Sequence, residues 1–181
     1  MNTPILETER LILRPFCLED AKDIYDCWES DPDVAQYMFW TSHNDINKTI
    51  DWVKGEVSKI NSDNWYRWAF ILKTTQELLG TGVLYLEEDY NKYEIAYNLG
   101  KKAWGKGYTT EAMKEIISFA QKDLNIKEIM GRHAKENPAS GNVLIKLGFT
   151  YMRDIPYICN KGNSVYEGKE YILLLGDKVL Y

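Results

Sequence analysis

A chain of 181 residues, 45% of them apolar or aromatic, is long enough to bury a full core as one domain over 1–181. Its formal net charge of −5 argues against a general nucleic-acid binder, which needs clustered Lys and Arg, and suits cationic substrates better. Cys17, Cys27 and Cys159 lack the spacing of a disulfide framework, no apolar run approaches a membrane span of ~20 residues, and the opening "MNTPILETER" lacks a signal peptide's apolar stretch. A soluble cytoplasmic protein, with neither nucleic acid nor membrane as partner, is the expectation.

In chain order, "RLILRPF" (10–16) alternates and ends near a proline, predicting a first strand. Leu18, Ala21, Ile24, Tyr25 and Trp28 form one helical stripe over 18–29, which "SDPDV" (30–34) breaks. Ile46, Ile50, Val53, Val57 and Ile60 repeat at three and four, predicting a helix over about 45–60. Three strands follow at 66–73, 78–87 and 92–100, rich in aromatic and β-branched residues; the first two connections are short enough for antiparallel neighbours. A helix over 108–123 would turn Ala112, Met113, Ile116, Ile117 and Ala120 inward. A strand at 127–134, a short helix from Pro138 to Leu147 and a final strand pair with a polar loop near 159–165 complete the chain. The strand at 92–100, helix at 108–123 and strand at 127–134 form a βαβ unit, whose strands are parallel. The fold class is therefore α/β, a mixed and largely antiparallel sheet with helices on both faces.

The turn "WGKGYTTE" (104–111) sits where that unit's strand hands over to its helix. Gly105 and Gly107 allow φ > 0 and close approach of a ligand, and a helix start offers unpaired N–H groups and a partial positive charge, so the turn can bind an anion. Lys106 adds a cation, and Glu111 is expected to reach back toward a threonine as in a capping box. A tight turn with no ligand is the plainer reading. A Walker loop requires GxxxxGK followed by Ser or Thr, which "GKGYTT" lacks; a dinucleotide fingerprint requires Gly or Ala where Thr110 stands, which disfavours a nicotinamide-dependent enzyme. In "ENPASGNVLIKLGF" (136–149), Asn137 and Pro138 suit the N-cap and first turn of a helix, and Gly148 a left-handed end with Phe149 folding back on Leu144. His43 and His133 lack partners at metal-ligand spacing, so no metal is expected.

Together, "LETERLILRPF", "YNLGKKAWGKGYTTEAM" and "NPASGNVLIKLGF" resemble, in order and spacing over nearly the whole chain, the GNAT superfamily of acyl-CoA N-acyltransferases, and within it the RimJ/RimL-like branch of ribosomal-protein-serine/alanine acetyltransferases. The resemblance implies a sheet split between its two parallel strands to admit acetyl-CoA. It implies that Trp104, Gly105, Lys106, Gly107, Tyr108 and Thr109, with Thr110, wrap the pyrophosphate, that Tyr97, Asn98 and Leu99 pair with the pantetheine amides, that Asn137 faces the pantetheine and that Ser140 lies near the sulfur. The chain departs from the family pattern where Trp104 replaces Gln or Arg, where Thr109 replaces a small residue, and where Leu144 replaces the tyrosine that protonates the thiolate. Gly141 and Asn142 are unusual inside a helix.

The chemistry so implied is attack of a neutral amine on a thioester. Deprotonating a lysine-like amine at pH 7 costs about 4.6 kcal/mol and an α-amino group about 1 kcal/mol, so a protein N-terminus needs little help and a polyamine needs a base. Glu94 on the cofactor strand is the candidate base, against a plain role as a solvated strand residue, and Ser140 or a water the candidate acid. A backbone N–H near Asn98 would polarise the carbonyl. Tyr37, Phe39 and Trp40 either join the core or wall the amine site. The expected function is acetyl transfer from acetyl-CoA to a primary amine of a peptide or small molecule, by a monomer or homodimer; the alternative is a non-catalytic acyl-CoA sensor on the same fold.

Overall fold

The computed structural model describes residues 1–176, so the last five residues of the 1–181 span lie outside it. Among the described residues eight strands form one sheet in the order β1-β2-β3-β4-β5-β6-β8-β7. They are β1 (Leu6–Glu7), β2 (Leu11–Arg14), β3 (Trp65–Leu72), β4 (Leu78–Glu87), β5 (Lys92–Leu99), β6 (Glu128–Ala134), β7 (Thr150–Cys159) and β8 (Ser164–Leu174). Every neighbouring pair is antiparallel except β5 with β6. The mixed α/β class expected from the sequence is the one observed.

Alternation along β3 explains how one sheet serves two cores. Tyr66, Trp68 and Phe70 pack on one side with Ala112, Met113, Ile116 and Ala120 of helix α4 (Tyr108–Lys122). Ala69 and Ile71 pack on the other with Ile24, Trp28 and Val53. That second layer contains α1 (Ala21–Ile24), α2 (Pro32–Ala35) and α3 (Ile46–Ser58); α5 (Pro138–Lys146) lies on the α4 side through Leu144. Side chains of a strand alternate between faces, so both layers are apolar and the strands between them read as nearly continuous apolar runs.

Several boundaries differ from the sequence expectation. The helix over 18–29 is three short pieces: a 3-10 turn at Leu18–Asp20, α1, and a turn of π-helix at Tyr25–Glu29 where the Ser30 N–H reaches Tyr25 O at 3.2 Å. Leu18 is exposed and off the stripe, while Ala21, Ile24 and Trp28 are buried. Residues 30–34 do not merely break the chain: Asp31 accepts from the Asp33 N–H and starts α2. Ile46 is also exposed, and the loop near 159–165 contains a 3-10 turn at Asn160–Gly162.

The βαβ unit matches its expected limits closely, and its two parallel strands do not stay together. Register runs Tyr93↔Ile129, Glu94↔Met130 and Ile95↔Gly131 and then stops, although β5 continues to Leu99 and β6 to Ala134. Both strands remain fully paired on their outer sides, to β4 and β8. The sheet therefore opens in the middle, at the ends from which α4 and α5 begin.

Candidate active site

A cavity of about 610 Å³ fills that opening. Its lining includes Tyr97, Asn98 and Leu99 from β5, Trp104, Gly105, Gly107, Tyr108, Thr109 and Thr110 from the turn into α4, and Asn137 and Ser140 from the start of α5. Tyr37 and Met38, just past α2, stand against it as well. Of the sequence-predicted site residues, Lys106, Phe39, Trp40 and Glu94 are not part of this lining.

The turn is built for close approach. Gly105 and Gly107 have φ of +72° and +80°, a region that costs an L side chain, and a Cβ at Gly105 would meet nothing within 4 Å. Gly107 is the N-cap of α4, so the first N–H groups of that helix have no carbonyl inside it to meet. Glu111 does not form the expected capping box. Its carboxylate instead accepts from Thr8 Oγ1 at 2.5 Å, the Arg10 N–H at 2.8 Å and Arg10 Nε at 2.6 Å, all on the segment before β2. Burial works against its charge, but these donors hold the carboxyl below the usual glutamate range. Trp104, half exposed, donates from Nε1 to Leu99 O at 2.7 Å, so the indole satisfies the last carbonyl of β5.

Asn137 caps α5 by accepting from the Ser140 N–H at 3.4 Å, and Gly148 takes φ of +90° with the Phe149 N–H on Leu144 O at 3.1 Å. Tyr97 and Ser140 meet across the opening. The Tyr97 hydroxyl donates to Ser140 O at 2.9 Å and receives Ser140 Oγ at 3.3 Å; burial pushes the phenol well up, so it stays neutral. Asn98 Nδ2 is buried and has no hydrogen-bond partner among the described residues. A buried donor left unpaired costs about 1–3 kcal/mol, and Asn98 belongs to the lining of the cavity.

Glu94 is not a solvated strand residue. It is 2% exposed, with Arg132 Nε at 2.9 Å, Arg132 Nη2 at 2.5 Å and the Tyr85 hydroxyl at 2.9 Å donating to its carboxylate. Burial raises its pKa against the opposing pull of Arg132 and Tyr85. Arg132 also reaches Glu87 at 3.0 Å. Sequence reasoning missed Arg132 and Tyr85, which come from two other strands and carry no local signal.

Of the three aromatics expected near the acceptor, Tyr37 packs edge-on to Tyr166 at 5.1 Å and Phe39 against Tyr157 at 6.0 Å, whereas Trp40 joins the second core. Their segment is strapped to the β7–β8 turn. Asn160 Nδ2 donates to Ala35 O at 3.0 Å and Trp40 O at 3.1 Å, the Asn160 N–H to Met38 O at 2.8 Å and the Lys161 N–H to Phe39 O at 2.7 Å. Asn160 was also missed. Its partners lie more than 100 residues away. His133 packs under α5 rather than at the cavity. Among the described residues no group of three or more His, Cys, Asp or Glu side chains could hold a metal, and no helix is long and apolar enough to cross a membrane.

A sheet parted between two parallel strands, with a glycine turn and two helix starts around the gap, forms a ligand-sized opening with helix N-termini at its rim. The acetyltransferase (GNAT) domain family matches residues 10–150, and the chain belongs to it. The uncharacterized N-acetyltransferase p20 of Bacillus licheniformis is 35% identical over 147 residues, 80% of this chain and 81% of that protein. Two solved structures share the fold: the ribosomal L7/L12 α-N-protein acetyltransferase RimL in complex with coenzyme A (TM-score 0.82, 15% identity, 95% of this chain and 98% of that one), and the microcin C7 self-immunity acetyltransferase MccE with acetyl-CoA and AMP (TM-score 0.81, 17% identity, 92% and 93%). The protein is an acetyltransferase, and acetyl-CoA is the donor its family uses.

Proposed function

We propose that this chain, acting as a single domain, moves an acetyl group from acetyl-CoA to a primary amine by direct attack, the acceptor being a protein N-terminus or a small amine. The observation that carries this reading is the convergence of the β5 end, the Gly105–Thr110 turn and the α5 start on one cavity at the parted strands. The cavity's volume is within the range of about 300–1,000 Å³ usual for ligand sites. When bound, acetyl-CoA supplies an acyl carbon activated by a thiol leaving group.

The chain's own residues divide the work. The N–H groups of Gly105 to Thr110 would hold the diphosphate at the positive end of α4. Tyr97, Asn98, Leu99 and Asn137, all in the cavity lining, would take the amide-bearing arm. Ser140 Oγ is the candidate proton donor, and its bond to a neutral Tyr97 hydroxyl fixes its direction. Glu94, enclosed by Arg132 and Tyr85 and set back from the cavity lining, would accept a proton from the amine only through a relay of waters, aided by the raised affinity for protons that burial confers. Tyr37 would wall the acceptor side.

Incubation with acetyl-CoA and a panel of N-terminal peptides, polyamines and small amines, following free thiol, tests the reading. Amine-dependent thiol release is expected for at least one class, and release independent of every amine would overturn it. Glu94→Gln is expected to lower kcat/KM about 10²–10⁴-fold and remove the acid limb of the pH profile. A variant that keeps both would return Glu94 to a purely structural role.

A further inference from the structure

Arg10 lies outside the cavity, yet it grips the turn that lines it. Its Nε and Nη2 both stand 2.6 Å from Glu111 Oε2, its Nη1 donates to Lys106 O at 3.1 Å, and its guanidinium lies 4.4 Å from the centre of the Tyr108 ring. Its Nη2 would be 3.6 Å from a Cβ on Gly107. Arg10 is 96 residues from Lys106, so these contacts are not a local accident of the chain.

We propose that Arg10 is a positioning residue for the anion-binding turn: it fixes the Lys106–Gly107 peptide so that its N–H faces the cavity, and it cancels the charge of Glu111 beside that site. The proposal rests on the acetyltransferase reading above and deepens its donor site. The geometry follows from the trans peptide, in which the carbonyl and the next N–H point opposite ways. Holding Lys106 O toward Arg10 turns the Gly107 N–H away from it, while Gly107 itself lines the cavity. The charge argument is independent. Glu111 is in the first turn of α4, where a bare carboxylate would oppose the attraction that the helix end offers a bound diphosphate. With Arg10 in contact the pair is neutral, and the N–H groups act unopposed.

A mere tie between β2 and α4 would steady the fold without regard to which ligand is offered. The test therefore compares coenzyme A with pantetheine, which has the same amides and thiol but no diphosphate, by calorimetric titration of wild type and Arg10→Met. The variant is expected to raise the Kd for coenzyme A by about tenfold, the size of one lost charge-assisted hydrogen bond, and that for pantetheine by less than about twofold. Arg10→Met/Glu111→Gln, which removes the stranded carboxylate, should recover part of the coenzyme A affinity. An equal loss for both ligands, or none for either, would overturn the proposal. Should the Met variant fail to fold, Arg10→Lys keeps the charge but not the fork: a selective rise in the coenzyme A Kd supports the proposal, and an unchanged Kd overturns it. Wild-type protein that binds no coenzyme A would overturn the donor-site reading itself, a result separable from the variant's behaviour.

Discussion

The imidazole of His133 presses on the bare backbone of Gly141: a Cβ there would stand 2.6 Å from His133 Nε2 and 2.7 Å from Cε1. This contact explains a glycine inside α5, where propensity alone costs about 1 kcal/mol relative to alanine. His133 Nδ1 lies 2.7 Å from Ala134 O, and burial pushes the imidazole pKa down, so the ring packs neutral. Gly141→Ala should therefore destabilise the protein by about 1–2 kcal/mol, the overpacking cost exceeding the gain in propensity, and lower Tm by roughly 2–8 °C. In a thermal-melt cycle, Gly141→Ala/His133→Ala should lose less than the sum of its two single changes. Additive losses would show that the methyl group finds room elsewhere.

Gly105 and Gly107 separate backbone cost from ligand cost. Alanine at either should cost about 1–2 kcal/mol for the left-handed conformation alone. Asparagine, which tolerates that region, should restore most of the stability in chemical denaturation but not the affinity for coenzyme A in titration. Recovery of both together would mean that the turn needs its shape and not its open space.

Arg14 and Asp20 make a pH-readable pair. Asp20 is 5% exposed and accepts Arg14 Nη1 and Nη2, each at 2.7 Å, and the Cys17 N–H at 2.9 Å. Burial alone would raise this carboxyl, but the donors outweigh it and hold it below the usual aspartate range. Its folded pKa is depressed, so its contribution is present above about pH 3.8 and lost as pH falls through the folded value. Arg14→Met leaves a buried charge without its partner and should cost about 3–5 kcal/mol at pH 7. In the variant burial raises the carboxyl instead, so the gap from wild type should narrow in urea unfolding at pH 4. A gap of equal size at both pH values would contradict this account.

Asn160→Asp keeps the shape of the side chain and replaces its donor with an acceptor facing carbonyl oxygens. Loss of about 1–3 kcal/mol is expected from denaturation. Because the strap positions the Tyr37 segment, the KM for the amine should rise more than the KM for acetyl-CoA. Equal changes in the two would detach the strap from the acceptor side.

The legible parts of this protein are those where two signals agree on the same residues. Helix α4 shows both a 3.6-residue apolar repeat and a glycine start, and β5 both alternation and a flanking turn; these bounds and their buried faces read directly. The backbone of the 104–111 turn was legible for the same reason, since positive-φ glycines before a helix constrain the chain whatever surrounds them. The stripe over 18–29 misled because Leu18 has the right spacing on a segment whose hydrogen bonds change pitch twice. Glu111 has the spacing of a local cap, but Thr8 and Arg10 arrive from the far end of the chain and offer three donors at once. Arg132 around Glu94, and Asn160 against the 35–40 segment, depend on which strands become neighbours, and spacing along the chain has no information on that.

The parting of β5 from β6 leaves the molecule with a selvedge in the middle of its fabric. Edges of this kind ordinarily invite stray strands, and most proteins blunt or cover them. Here the invitation is confined between two walls, and on the proposed reading it would reach a narrow, flexible visitor bearing amides of its own, so the interruption that weakens the sheet would screen what mends it. Deuterium uptake at those amides of 96–99 that face the gap and not β4 should accordingly be quick in the empty enzyme and slow once the ninth thread is laid.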